Sequence, residues 1–112
     1  MPEKQPAAAR PWKGYMLETL KDPHAVQEYL EAAVEAYEQD SDRQAFLLAL
    51  RMVAEAQGGI SELARKSALS RQHLYRALSE NGNPTFETLT AVFKALGLRF
   101  TLERAAQGAA PG

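Results

Sequence analysis

The stretch from Ile60 to Leu78, ISELARKSALSRQHLYRAL, decides the fold. Its apolar residues are spaced for two short helices joined by a tight turn, and Ala64 is small where such helices would cross closely. Leu69 follows the turn, and Leu74 can be buried between the helices. This geometry pushes the start of the second helix outward, where it can enter a DNA major groove about 12 Å wide. The stretch therefore predicts a helix-turn-helix at residues 61–79.

The exposed positions of this motif carry side chains that suit contact with DNA. Arg71 can donate two hydrogen bonds to guanine, and Gln72 can pair with adenine in the same bidentate way. Ser70 would cap the second helix or bond a phosphate, and Arg65 and Lys66 suit the phosphates that fix register without reading sequence. The predicted DNA-binding residues are Arg65, Lys66, Ser70, Arg71, Gln72, His73, Tyr75 and Arg76.

An ordinary helical hairpin with a solvated charged face is the alternative interpretation of this stretch. It explains the charges, but it does not explain why caps, turn, small residue and base-reading side chains coincide in one segment. We therefore expect operator DNA as a partner.

Three further helices are predicted around the motif. One follows the Asp-Pro pair at 22–23, which caps and begins a helix, and ends near Asp40. The next runs from a cap at Ser41 or Asp42 to the glycine pair at 58–59, which stops it.

The last of the three helices follows a Thr85 cap and is closed by Gly97, with Phe86 turned inward. Ser61 is expected to cap the first helix of the motif. The stretch at 15–20 is ambiguous between strand and helix.

A short C-terminal strand is predicted from Leu98 to Glu103, because apolar and polar residues alternate there. With one edge open, this strand and the last helix are expected to form the two-fold interface of a homodimer. The predicted interface residues are Leu98, Phe100 and Leu102. Burial of Phe100 within one subunit is the alternative.

These elements make one all-α domain of five helices, with the short β-strand at its C-terminal end, over residues 15–104. Residues 1–14 are rich in proline and alanine, and we predict a disordered arm there and a disordered tail at 105–112.

Composition argues against several classes of function. The chain of 112 residues has no cysteine, which removes disulfides, thiolate zinc sites and cysteine nucleophiles. The two histidines, His24 and His73, lie in different elements; we expect both to be exposed and neither to bind a metal. There is no nucleophile motif and no glycine-rich phosphate loop, so we expect no cofactor and no enzyme activity.

The N-terminus has no apolar core of the secretory type, and no apolar run approaches the ~20 residues of a membrane span. We therefore expect a cytoplasmic protein with no membrane contact.

Charge is distributed unevenly along the chain. Residues 17–42 contain eight acidic residues and one lysine, whereas residues 61–79 contain four basic residues and one glutamate. Within the acidic part, four glutamates are spaced for one helix face: Glu28, Glu31, Glu35 and Glu38. A solvated face is the plainer interpretation of this stripe, and a docking surface for a basic partner is the other.

From about Tyr15 to Leu102 the sequence resembles the addiction-module antidote proteins, HigA-like antitoxins with an XRE-type helix-turn-helix. The resemblance is carried by YLEAA at 29–33, AFLLAL at 45–50, LSRQHLYRALS at 69–79, GNPTF at 82–86 and ALGL at 95–98. One departure is Ala68, since the family usually has glycine at the turn. A left-handed turn would cost alanine roughly 1 kcal/mol more than glycine. Either the turn tolerates alanine, or the two helices meet at a slightly different angle.

The resemblance implies a lambda-repressor-like domain that represses its own operon and neutralises a small basic toxin of RelE/ParE-like fold. The acidic stripe and the stretch before it then become the expected toxin-binding surface, formed by Tyr15, Met16, Leu20, Glu28, Glu31, Glu35 and Glu38. A solitary prophage-type repressor without a toxin partner is the alternative.

Overall fold

Six helices form the part of the chain that this computed structural model describes, residues 4–106, with side chains described from residue 12 onward. The helices are α1 (Lys4–Thr19), α2 (Pro23–Asp40), α3 (Arg43–Ala56), α4 (Ile60–Ser67), α5 (Arg71–Ala77) and α6 (Phe86–Ala95). The predicted all-α class is confirmed. The expected count of five helices is wrong, because α1 adds a sixth.

Helix α1 resolves the stretch that the sequence left ambiguous. Met16, near the end of the helix, packs against the core, and Leu20, just after it, is fully buried. The Leu20 carbonyl accepts a 2.8 Å hydrogen bond from Gln57 Nε2, which fixes the end of α1 against the end of α3. This stretch is helical because its apolar residues have a surface on α3 to cover.

Helix α1 begins at Lys4, inside residues 1–14, which we predict to be a disordered arm. Lys13 in that segment lies 3.6 Å from Glu55 of α3, in an ion pair between exposed side chains. The predicted tail, 105–112, lies outside the described residues except for its first two.

Side-chain caps begin the helices on either side of the motif. Asp42 Oδ1 accepts a 3.1 Å hydrogen bond from the Ala45 N–H, and Thr85 Oγ1 accepts one of 3.1 Å from the Thr88 N–H. Both caps are confirmed. Ser41, the other candidate for the cap of α3, instead ends α2 in the left-handed conformation with φ 55°.

Helix α4 starts before the serine that was expected to cap it. Its first residue is Ile60 and its N-cap is Gly59. Gly59 has φ 93°, a conformation that glycine adopts without strain, so the chain reverses there and the helix begins at once. The predicted Ser61 cap is therefore wrong.

Helix α3 is the centre of the core. It packs against α1, α2 and α4, while α4 also packs against α5 and α6. Leu47, Leu50 and Val53, at helical spacing on α3, are fully buried, and each such side chain stabilises the fold by roughly 1.5–3 kcal/mol. Leu74 and Leu78 join the same cluster and hold α5 on the domain.

The segment after α6 has no regular secondary structure as far as residue 106, so the predicted strand from Leu98 to Glu103 is wrong for the single chain. A lone extended segment needs another strand edge to complete its hydrogen bonds, and these helices offer none. The Phe100 ring instead stacks on Phe93, with 4.7 Å between centroids. Phe86, predicted to point inward, is 71% exposed and lies beside Phe100.

Candidate nucleic-acid interface

The turn between α4 and α5 directs the second helix outward. Ala68 ends α4 in the left-handed conformation, with φ 64° and ψ 19°. Ser70 is the N-cap of α5, and its Oγ accepts a 3.0 Å hydrogen bond from the His73 N–H. Leu74 is completely buried, so the opposite side of α5 faces solvent. The predicted pair of short helices joined by a tight turn is confirmed. The turn holds Ala68 in the left-handed conformation, which is one of the two alternatives that the sequence left open.

Four of the predicted DNA-binding side chains are exposed on α5: Arg71, Gln72, Tyr75 and Arg76. The guanidinium carbon of Arg71 lies 5.5 Å from the centroid of the Tyr75 ring, one helical turn further on. This cation–π contact holds the two side chains together on the outer face. It leaves the planar set of guanidinium N–H groups available for two parallel hydrogen bonds to one acceptor pair.

His73 does not belong to this exposed face, so the expectation that it is exposed is wrong. Its ring is half-buried, and Nε2 lies 2.9 Å from the hydroxyl oxygen of Thr88 on α6. Thr88 is buried, and the Thr85 hydroxyl donates to it at 3.2 Å. His73 thus ties α5 to the start of α6. His24, the other histidine, is exposed as predicted.

Arg65 and Lys66 are exposed on α4, but both pair with Glu62 of the same helix. Arg65 donates to the Glu62 carboxylate from Nε at 3.1 Å and from Nη2 at 2.5 Å, and Lys66 Nζ lies 3.7 Å from it. The hydrogen bond from Arg65 is the main cause that lowers the pKa of Glu62, so this carboxylate is ionised at neutral pH. A phosphate would have to compete with Glu62 for both cations.

Arg51, which the sequence did not indicate as a functional residue, holds the far end of α5. Arg51 of α3 donates from Nη1 to the Leu78 carbonyl at 2.5 Å, in a partly buried contact. Leu78 follows the last residue of α5, so Arg51 satisfies one of the carbonyls that a helix end leaves open. Nothing in the local sequence signals this contact, because 27 residues separate its two partners.

Gly82 is the second residue whose role the sequence did not reveal. It is buried against the end of α5, and a Cβ at this position would lie 2.7 Å from the Ala77 carbonyl carbon and 2.8 Å from the Arg76 carbonyl oxygen. Only glycine allows the backbone to approach so closely. The composition of residues 81–84, Asn-Gly-Asn-Pro, is typical of a loop but does not indicate this contact.

An open groove of about 440 Å³ lies between the end of α5 and the start of α6. Its lining includes hydrogen-bond donors from α5 and from the loop that precedes α6: Arg76, Asn81 and Asn83. Donors gathered beside an exposed helix in this way suit the phosphates that flank a groove of DNA.

The residues predicted to bind a toxin divide into exposed and buried ones. The four glutamates of the α2 stripe are exposed, and so is Tyr15, at 69%. Met16 is half-buried against the core. Leu20 is 1% exposed, so its predicted role in contacting a partner is wrong for this conformation, because its side chain already fills the space between α1 and α3.

The exposure of the three predicted dimer residues increases along the chain. Leu98 packs partly into the core, Phe100 is 41% exposed, and Leu102 is 99% exposed. Partial burial of Phe100 on Phe93 therefore occurs within one subunit, and it leaves much of the ring accessible.

No group of three or more potential ligands in residues 12–106 could hold a metal ion. None of α1 to α6 is long and apolar enough to cross a membrane.

Two comparisons with known proteins cover most of the chain. Residues 14–104 match the family described as probable addiction module antidote protein. An uncharacterized protein of Haemophilus influenzae is 40% identical over 87 residues, which cover 78% of this chain and 84% of that protein. No solved structure matches. A family of antidotes has a non-catalytic role, in agreement with the expectation that the chain is not an enzyme. The chain belongs to the family of probable addiction module antidote proteins.

Proposed function

We propose that this chain is the antitoxin of a type II toxin–antitoxin module, and that it binds operator DNA through α4 and α5 and represses its own operon. The observation that carries the DNA-binding part is the outer face of α5, where Arg71, Gln72 and Tyr75 are exposed at the start of a capped helix. These side chains suit guanine, adenine and thymine-methyl edges in a major groove. Membership in the antidote family supports the antitoxin part.

The remaining cations would position the protein on DNA without reading bases. Arg76 lines the groove beside α6, and Arg65 and Lys66 lie at the end of α4. Phosphate contacts of this kind give an affinity that falls as salt rises. Replacing Arg65 or Lys66 with alanine is expected to weaken binding to all sequences alike and to reduce the salt slope by about one unit.

The test of base reading is a mobility-shift titration on the upstream region of the operon. Arg71→Ala is expected to cost about 1–3 kcal/mol on the operator and to relax specificity at one position, and Gln72→Ala should act in the same way. Arg43→Ala is the matched control, because Arg43 is equally exposed but lies at the start of α3. Unchanged operator affinity in both α5 variants would refute the proposal.

A homodimer would make the reading of DNA specific. One short recognition helix contacts few base pairs, and proteins of this type bind palindromes whose half-sites are about 34 Å apart. The exposed apolar residues after α6, Phe100 and Leu102, support the C-terminal segment with Leu98 as the dimer contact.

A basic toxin of RelE/ParE-like fold would dock on the acidic side of the molecule. Glu28, Glu31, Glu35 and Glu38 are exposed on α2, and no ion pair engages them among the residues whose side chains are described. Helix α2 packs on α3 rather than on α5, which favours separate surfaces for toxin and DNA. Exposed Tyr15 on α1, with Met16 beside it, would add apolar contact.

Co-purification with the product of the neighbouring reading frame tests this arrangement. The triple substitution Glu31→Lys, Glu35→Lys and Glu38→Lys is expected to weaken toxin capture, most strongly at low salt, and to leave operator affinity unchanged. The double variant Arg71→Ala, Gln72→Ala should show the opposite behaviour. Full capture by the lysine variant at all salt concentrations would make the stripe a solvated face. The absence of any partner from the neighbouring frame would favour a solitary prophage-type repressor.

A further inference from the structure

From Arg99 to Ala106 the chain exposes a backbone whose hydrogen-bonding groups have no partner within residues 4–106. The Leu98 N–H donates to the Phe93 carbonyl at 2.8 Å, and this is the last backbone hydrogen bond of the described chain. From Arg99 to Ala106 every residue is exposed. Groups of this kind form a template for pairing with another extended segment.

The sequence of this segment is complementary to itself about Thr101. We propose that two copies of the chain pair their C-terminal segments as antiparallel strands, with the two-fold axis at Thr101. In an antiparallel pair centred there, each residue lies opposite the one equally far on the other side of the axis. Arg99 then faces Glu103 of the second copy, and Glu103 faces Arg99 of the second copy. This inference adds a register to the homodimer of the proposed function and rests on it.

The apolar face of the same register is also complementary. Phe100 lies opposite Leu102 of the second copy, and the converse pair forms by symmetry. Leu102 is 99% exposed in the single chain, while the Phe100 ring is already held against Phe93 and Phe86. The pairing would cover the exposed leucine with an aromatic surface that each subunit holds in place. Side chains directly opposite each other in this way stabilise a two-stranded sheet.

Neighbouring registers lose this match. With the axis at residue 100, Arg99 would face Thr101 and neither charge would meet its opposite. With the axis at residue 102, Arg99 would face Ala105 and Glu103 would face Thr101, so the charges again lose their partners. A parallel pair would place Arg99 of one copy beside Arg99 of the other, and like charges in that position are destabilising.

Cysteine cross-linking tests the register directly, because the natural chain has no cysteine. Residues on the axis of an antiparallel pair have Cα atoms about 4.5–5.5 Å apart, within the range of a disulfide. Thr101→Cys is therefore expected to form a covalent dimer under mild oxidation. Glu103→Cys alone should not, but it should cross-link to Arg99→Cys when the two variants are mixed. A dimer in which Thr101→Cys stays reduced, or a chain that is monomeric at micromolar concentration, overturns the proposal.

Charge exchange gives a second test that does not depend on cysteine. Arg99→Glu places like charges opposite each other twice per dimer, and we expect dimerisation to weaken by about tenfold at low salt. Glu103→Arg should act alike, and the double exchange should restore the wild-type dissociation constant in sedimentation equilibrium. Absence of that rescue refutes the register. These measurements contain no DNA, so their failure is distinguishable from failure of the α5 variants to lose operator affinity.

Discussion

Replacing Ala68 with glycine is expected to stabilise the protein. Ala68 has φ 64° and ψ 19°, a left-handed conformation that costs an L-residue with a Cβ about 1–2 kcal/mol. Glycine removes that cost, but it gains about 0.4–1 kcal/mol of conformational freedom in the unfolded chain. The alanine methyl is exposed, so its loss removes little apolar burial. The difference is a stabilisation of roughly 0.5–1 kcal/mol, or a rise in Tm of roughly 2–8 °C.

The assay is urea unfolding followed by circular dichroism, with Ala32→Gly as the matched control. Ala32 is exposed in the middle of α2, where the same substitution should lower the free energy of unfolding by about 1 kcal/mol. The two variants thus make the same chemical change, but the expected changes in the free energy of unfolding have opposite signs. If Ala68→Gly destabilises the protein as Ala32→Gly does, the turn does not hold alanine in a left-handed conformation.

Two further substitutions test other contacts of the motif. Gly82→Ala should lower the free energy of unfolding by about 1–3 kcal/mol, because a Cβ would meet backbone atoms at the end of α5 that can move only with the helix. Urea unfolding measures this change, and a decrease of less than about 0.5 kcal/mol would contradict the close approach. Glu62→Gln should release Arg65 and Lys66 from their ion pairs and tighten binding to non-operator DNA at neutral pH. A fluorescence titration measures this affinity, and an unchanged value would show that the ion pairs do not compete with phosphate. The lowered pKa of Glu62 fixes the sign with pH: the pairing is present at neutral pH and is lost as pH falls through that lowered value, so wild type and variant should converge in acid.

Features that depend on neighbours in sequence were predictable here. The caps at Asp42, Ser70 and Thr85 each involve a residue three positions along the chain. Apolar residues at helical spacing likewise indicate the buried face of α3. These signals are contained within one or two helical turns, so the sequence carries them directly.

Features that depend on distant partners were missed. His73 was predicted to be exposed, but its ring contacts Thr88, 15 residues away. Leu20 was predicted to contact a partner, but its side chain is buried in the core. Phe86 has the spacing of a core residue, yet it lies at the first turn of α6, where the described helices do not cover it. In each case the pattern of the residue's own helix is ambiguous, and the packing of another element decides.

The support around α5 has a thermodynamic consequence for complex formation. A helix of seven residues is too short to be stable alone in water. Here Ser70 caps its start, Thr88 holds its middle through His73, and Arg51 bonds the carbonyl that follows its end. The helix is therefore ordered before any ligand arrives, and the proposed contact with DNA would include no folding step. The heat-capacity change on binding should then reflect the area of the interface alone, without the larger negative contribution of coupled folding.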